Sequence, residues 1–173
     1  MRKILLVIDM QNDFIDGSLG STEAMSIVQN VINKIKEYSP ENVFATKDTH
    51  EVNYLSTSEG RHLPVEHCIR GSEGWDIRPE IRSLIPPENV YEKGTFGSLA
   101  LAEKVAEMAR KEEISVEMVG LCTDICVVSN ALLIKAYLPE IPISVDSSCC
   151  AGVTPDKHNA ALETMRSCQI NVE

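Results

Sequence analysis

The chain has 173 residues, a formal net charge of -10 and a sequence pI near 4.9. That length suits one domain with a substantial core, expected to span residues 1–173. The acidic balance works against nucleic-acid phosphates and anionic membrane surfaces, because like charges repel at long range. The N-terminus runs straight into a strand pattern, with no signal-peptide pattern and no apolar run long enough to span a bilayer. A cytoplasmic protein acting on a small molecule is therefore expected.

In chain order, residues 4–8 read ILLVI, a continuous aliphatic run that predicts a buried strand. Residues 22–38 place Ala24, Ile27, Val28, Val31, Ile32 and Ile35 at helical spacing. Residues 42–46 predict a second short strand. The stretch 47–75 that follows is polar, contains Gly and Pro, and carries three of the four histidines. A loop of that length inside a compact domain is functional or disordered, and it is read here as functional. Residues 78–84 predict a short helix ended by Pro86 and Pro87, and 89–91 a third strand leading to Lys93. A helix over 99–111 follows from Leu99, Leu101, Val105, Ala106 and Ala109, and 115–120 predict a fourth strand. The next helix is expected from near Thr123 to about Tyr137, stopped by Pro139, and 141–145 form a fifth strand. Thr154 and Pro155 give a capping hydroxyl and a proline at the first position of a helix reaching about Cys168, with a sixth strand over 169–172. Strands alternating with helices at this spacing make an α/β protein, a three-layer αβα sandwich around a six-stranded parallel sheet.

Asp9, Lys93 and Cys126 each sit just past one of these strands, in KILLVIDMQNDF, NVYEKGTFG and VEMVGLCTDICV. Ligands bind outside the carboxyl ends of the strands in an open α/β sheet, so an acid, a cation and a thiol meet on one rim. Cys126 lies at the start of a helix, where amide dipoles and a neighbouring cation favour the thiolate. Asp9 is placed to take the thiol proton and later hand one to a leaving amine. Gln11, Asn12 and Asp13 read equally well as solvated loop residues. Six cysteines without an export signal are expected to be free thiols, with Cys68, Cys149, Cys150 and Cys168 as small buried hydrophobes. Cys122 and Cys126 are spaced CxxxC, which matches neither the CxxC redox motif nor zinc-ligand dyads.

Asp48, His50, Glu59 and His67 form a second constellation within the 47–75 stretch. Alternate side chains past a strand share a face, so Asp48 and His50 point to one side. Carboxylate with imidazole suits Zn, Mn, Fe or Ni alike. Unconnected loop residues are the competing reading.

The segments DMQNDF, YEKGTFGS and GLCTDICV resemble the isochorismatase-like cysteine hydrolase superfamily and, within it, the nicotinamidase/pyrazinamidase group; the resemblance covers nearly the whole chain. It implies Asp9, Lys93 and Cys126 as a catalytic triad, a cis bond between Leu121 and Cys122, and an oxyanion hole from the N–H groups of Cys122 and Cys126. It implies a divalent metal cofactor, zinc first, with Mn, Fe or Ni as alternatives, held by Asp48, His50 and His67. Where many relatives carry a further histidine this chain has Ser56, which makes Glu59 the candidate fourth ligand and His62 its rival. Phe14 is expected either as an aromatic wall of the substrate site or as a core residue. The implied activity is metal-assisted hydrolysis of a small amide, nicotinamide to nicotinate and ammonia through a thioester, in a homo-oligomer. Hydrolysis of another amide or carbamoyl compound, or a non-catalytic metal-binding protein of the same fold, are the other readings.

Overall fold

A computed structural model describes residues 1–173. Strand β1 (Arg2–Ile8) is the sheet's apolar centre, with Ile4 to Ile8 at most 1 % exposed. A one-turn helix α1 (Asn12–Ile15) leads into α2 (Thr22–Ile35), whose N-terminal amide at Ala24 is capped by the Ser21 hydroxyl at 3.0 Å. The predicted helix to residue 38 stops at Ile35, and Tyr38 turns instead to hydrogen-bond Glu117. Strand β2 (Val43–Asp48) is followed by the polar stretch, which holds a 3₁₀ turn (Tyr54–Ser56), the short helix α3 (Ser58–His62) and, farther on, α4 (Pro79–Arg82). Then come β3 (Val90–Lys93), α5 (Leu99–Ala109), β4 (Ile114–Leu121), α6 (Val128–Tyr137), β5 (Ile143–Ala151), α7 (Pro155–Ser167) and β6 (Asn171–Val172). The Thr154 hydroxyl caps α7 at Lys157 N, 3.2 Å away, with Pro155 at the first helical position as expected.

All six strands are parallel, in the order β3-β2-β1-β4-β5-β6. Because neighbouring residues of a strand face opposite sides, Ile4, Leu6 and Ile8 pack under α5, α6 and α7, while Leu5 and Val7 pack under α2 and α4. Both faces are covered, the three-layer sandwich that the alternating pattern implied. Strand β5 runs six residues beyond its predicted end, through polar Asp146, Ser147 and Ser148. Its pairing with β4 resumes beyond an irregularity between Met118 and Gly120. At Gly120 the backbone has φ +120°, and a Cβ there would lie 2.1 Å from the Ile8 carbonyl oxygen. Only glycine lets the end of β4 press against the end of β1. No helix is long and apolar enough to cross a membrane.

Candidate active site and metal centre

Asp9, Lys93 and Cys126 converge at the carboxyl ends of β1, β3 and β4. Asp9 has a left-handed backbone (φ 45°), which turns the chain sharply off β1 and leaves its carboxylate fully buried. One oxygen accepts from the Thr46 hydroxyl at 2.6 Å, and the other faces Lys93 Nζ at 2.7 Å. Lys93, only 6 % exposed, also reaches Cys126 Sγ at 3.4 Å, Asp48 Oδ1 at 3.3 Å and the Thr95 carbonyl at 3.0 Å. One ammonium therefore joins the thiol, the carboxylate beside it and the second constellation.

The electrostatics sort the two carboxylates that flank Lys93. Burial pushes the Asp9 carboxyl above its ordinary value despite the opposing pull of Lys93. Burial acts the same way on Asp48, but the adjacent His50 and the charge of Lys93 override it and hold Asp48 below the usual range. Lys93 is kept protonated: burial alone would depress it, but Asp9, Cys126 and Asp48 raise it.

The Cys126 thiol departs from expectation. Burial and the adjacent Asp9 push it well up, and Lys93 opposes only in part. Residues Thr123–Val127 form a π-type turn, with Cys126 at its fourth position. The Leu121–Cys122 bond is cis. The Ile125 and Val127 N–H groups both turn back to the Cys122 carbonyl at 3.1 Å.

Asp48, His50, Glu59 and His67 come together beside this group, their donor atoms all within 4.8 Å of one another. His50 Nε2 lies 3.0 Å from Asp48 Oδ2 and 3.6 Å from Glu59 Oε1; His67 Nε2 lies 3.7 Å from each. These four separations lie near the edge of about 3.4 Å between ligands of an ion with bonds of about 2.1 Å, so the donors stand close enough to share one ion. Two further observations agree. His50 Nε2 is buried without an aligned hydrogen bond, and His67 Nδ1 donates to the Val65 carbonyl at 2.8 Å, which turns its Nε2 lone pair into the cluster. His62 is exposed, with Nδ1 against the Ser58 carbonyl at 2.8 Å, and Ser56 is exposed and bonded to Asn53; neither joins the cluster.

Glu59 reaches the cluster from α3, whose start is capped by the Thr57 hydroxyl on Gly60 N at 3.0 Å. Three residues to which the sequence assigned no role shape the site. Tyr54 is fully buried with its ring 4.7 Å from that of His50 and 4.9 Å from that of His67, and its hydroxyl donates to the Leu63 carbonyl at 2.9 Å. Thr46, two residues before Asp48 on the same face of β2, fixes Asp9. Gln11, read as potentially solvated, is wholly buried. Thr46 and Gln11 each lie two residues from a strand-end acid, Asp48 and Asp9, and that spacing is the signal in the sequence that could have found them.

A cavity of about 1040 Å³ opens onto both groups. Phe14, Leu19, Leu121 and Ile125 form its apolar walls, Cys126 and the metal-type cluster its floor, and Phe96, Val153 and Lys157 its exposed rim. Phe14 is both wall and near-core, 9 % exposed with its ring 5.5 Å from His67.

Comparison with known proteins gives consistent matches. The family described as Isochorismatase, isochorismatase domain, matches residues 3–173. A nicotinamidase/pyrazinamidase of Mycobacterium tuberculosis is 28% identical over 184 residues, covering 98% of this chain and 97% of that protein. The crystal structure of nicotinamidase/pyrazinamidase PncA from Bacillus subtilis superposes with a TM-score of 0.81 at 27% identity, covering 99% of each chain. That of N-carbamoylsarcosine amidase from Thermoplasma acidophilum gives 0.77 at 26% identity, covering 100% of this chain and 96% of that one.

Proposed function

This chain belongs to the isochorismatase family and is a hydrolase of linear amide C–N bonds, and from that premise we propose that it deamidates nicotinamide to nicotinate and ammonia through a thioester on Cys126. The observation that carries this reading is the single ammonium of Lys93, which lies 2.7 Å from Asp9 and 3.4 Å from the Cys126 sulfur. As Sγ attacks the carboxamide carbon, Asp9 takes the thiol proton. The charge that develops on the carboxamide oxygen is met by the N–H groups of Cys122 and Cys126. Asp9 then returns its proton to the amine, which leaves as ammonia. In the second half, Asp9 deprotonates a water that adds to the thioester carbon, and the acid leaves as Cys126 regains a proton. Lys93 holds Asp9 in place and balances its charge in a site that excludes solvent.

Asp48, His50, Glu59 and His67 would hold a divalent ion, zinc first, because two carboxylates and two imidazoles suit its borderline N/O preference. Such an ion supplies a Lewis-acidic anchor that orients the pyridine nitrogen of the substrate. The Phe14 ring flanks this position and supplies an apolar face for the heterocycle.

A second substrate reading is favoured by the rim. Lys157 lines the cavity and takes part in no ion pair, and the cavity is far larger than a single pyridine carboxamide. Both features suit an amide or carbamoyl compound that carries a carboxylate. Ammonia release from nicotinamide, pyrazinamide and N-carbamoyl amino acids tests the two together. Nicotinamide turnover that vanishes in Cys126→Ala, with zinc content unchanged, is the expected result. Turnover only of the carboxylated compounds would favour the second reading, and release from none of them would leave a binding protein.

A further inference from the structure

Two residues soon after Met10, Gln11 and Asp13, are joined to the backbone of the metal-type cluster. Gln11 spends its whole amide there: Oε1 accepts the Asp48 N–H at 2.7 Å, and Nε2 donates to the Asp48 carbonyl at 2.8 Å. The side chain thus pairs with the end of β2 as a neighbouring strand would. The same Nε2 donates to the Trp75 carbonyl at 2.8 Å, tying the end of β2 to the far side of the 47–75 loop. Two residues on, Asp13 Oδ2 accepts the Cys68 N–H at 2.7 Å, the amide that follows His67. Asp13 is seated in turn against Gly74, where an added Cβ would fall 2.2 Å from its carboxylate oxygens, and its own N–H donates to the Gly74 carbonyl at 3.0 Å.

These bonds go to the main chain on either side of the donor set and never to a donor atom. They fix where Asp48 and His67 stand, leaving their side chains free for other partners. The geometry carries further because Asp48 is shared: Oδ2 faces His50, and Oδ1 faces Lys93 at 3.3 Å. A shift of the Asp48 backbone would therefore disturb the cluster and the ammonium together.

We infer that Gln11 and Asp13 are positioning residues for a divalent ion held by Asp48, His50, Glu59 and His67, and that they set its affinity through the backbones of Asp48 and Cys68. The inference rests on the reading of that cluster as a metal site. Partners that orient metal ligands from outside the first layer typically govern about 10–100-fold of metal affinity.

The test is a competition titration of zinc against a chromophoric chelator, run well below the melting temperature of each protein so that a loss of fold stability alone leaves the result unchanged. Gln11→Met keeps the side-chain volume but offers no amide. It should weaken zinc binding about 10–100-fold, and so should Asp13→Ala. Asp13→Asn still presents an oxygen to the Cys68 amide and should recover most of that loss. Should Gln11→Met fail to fold, the Asp13 pair decides. Zinc affinity within about twofold of wild type in the folded Gln11→Met and Asp13→Ala proteins would overturn the inference while the metal reading stands, since that is far below the expected range. Asp13→Asn as weak as Asp13→Ala would overturn the part assigned to the Cys68 bond. A wild-type protein without zinc affinity would sink the metal reading and this inference with it.

Discussion

Replacing Asp9 by Asn changes one atom of the side chain and tests the buried ion pair and the reaction at once. Asp9 is fully buried, and its Oδ2 stands 2.7 Å from Lys93 Nζ. Removing one partner of a buried pair costs about 3–5 kcal/mol because the other charge is left stranded. Lys93 keeps Asp48 at 3.3 Å and the Thr95 carbonyl at 3.0 Å, which places the expected loss at the lower end, about 3 kcal/mol. For a chain of this size that corresponds to a fall in Tm of about 6–12 °C. The double variant Asp9→Asn, Lys93→Met removes both charges and should return to within about 1 kcal/mol of wild type, since replacing a whole buried pair by neutral groups is close to neutral. Catalysis should behave differently. Asn still accepts from the Thr46 hydroxyl but cannot take the Cys126 proton, so kcat should fall about 10²–10⁴-fold in the single and the double variant alike. Thermal melts followed by circular dichroism and a coupled ammonia assay read the two effects separately. A single variant with near wild-type kcat, or a double variant no more stable than the single, would refute the reasoning.

Three further outcomes are expected. The acid limb of kcat/KM should lie above the ordinary Asp value of about 3.9, because burial raises Asp9 against the pull of Lys93; the base works ionised, so activity is full above its folded pKa and lost as pH falls through it, and a limb centred below 3.9 in a pH–rate profile would contradict this. Gly120→Ala should cost on the order of 3 kcal/mol or more, since its Cβ would lie 2.1 Å from the Ile8 carbonyl oxygen at φ +120°; an unchanged melting temperature would speak against the close approach of β1 and β4. Glu59→Ala should lower zinc retention after dialysis against a weak chelator, and His62→Ala should not, since only Glu59 joins the donor cluster; retention in Glu59→Ala equal to wild type would leave His62 or a water as the remaining ligand.

The aliphatic run at 4–8 was legible as a strand because a parallel sheet covered on both faces needs apolar side chains at every position. Strand β5 was only half legible for the opposite reason. Its second part carries Asp146, Ser147 and Ser148, and the Ser147 N–H is satisfied by the Glu173 carbonyl at the end of the chain, a partner that no local pattern announces. Helix α3 has no apolar period over its five residues and is held by the Thr57 cap, so the stretch around Glu59 read as loop. Asp9, Lys93 and Cys126 were legible from their places at strand ends, and the structure brings them together. The upward pull on the Cys126 thiol was not, because position in sequence suggests a helix dipole while burial beside Asp9 acts in the opposite sense. Gln11 and Thr46 escaped notice because each acts on a partner 37 residues away.

The account turns on a covalent bond to Cys126, and acid-quench mass spectrometry during nicotinamide turnover observes that bond directly. The zinc-loaded wild-type protein should show a nicotinoyl adduct confined to the peptide that carries Cys126, and the adduct should be absent from Cys126→Ala and from Asp9→Asn. Continued ammonia release by Cys126→Ala, with no adduct on any cysteine of the wild-type protein, would contradict the thioester and point to direct attack by water.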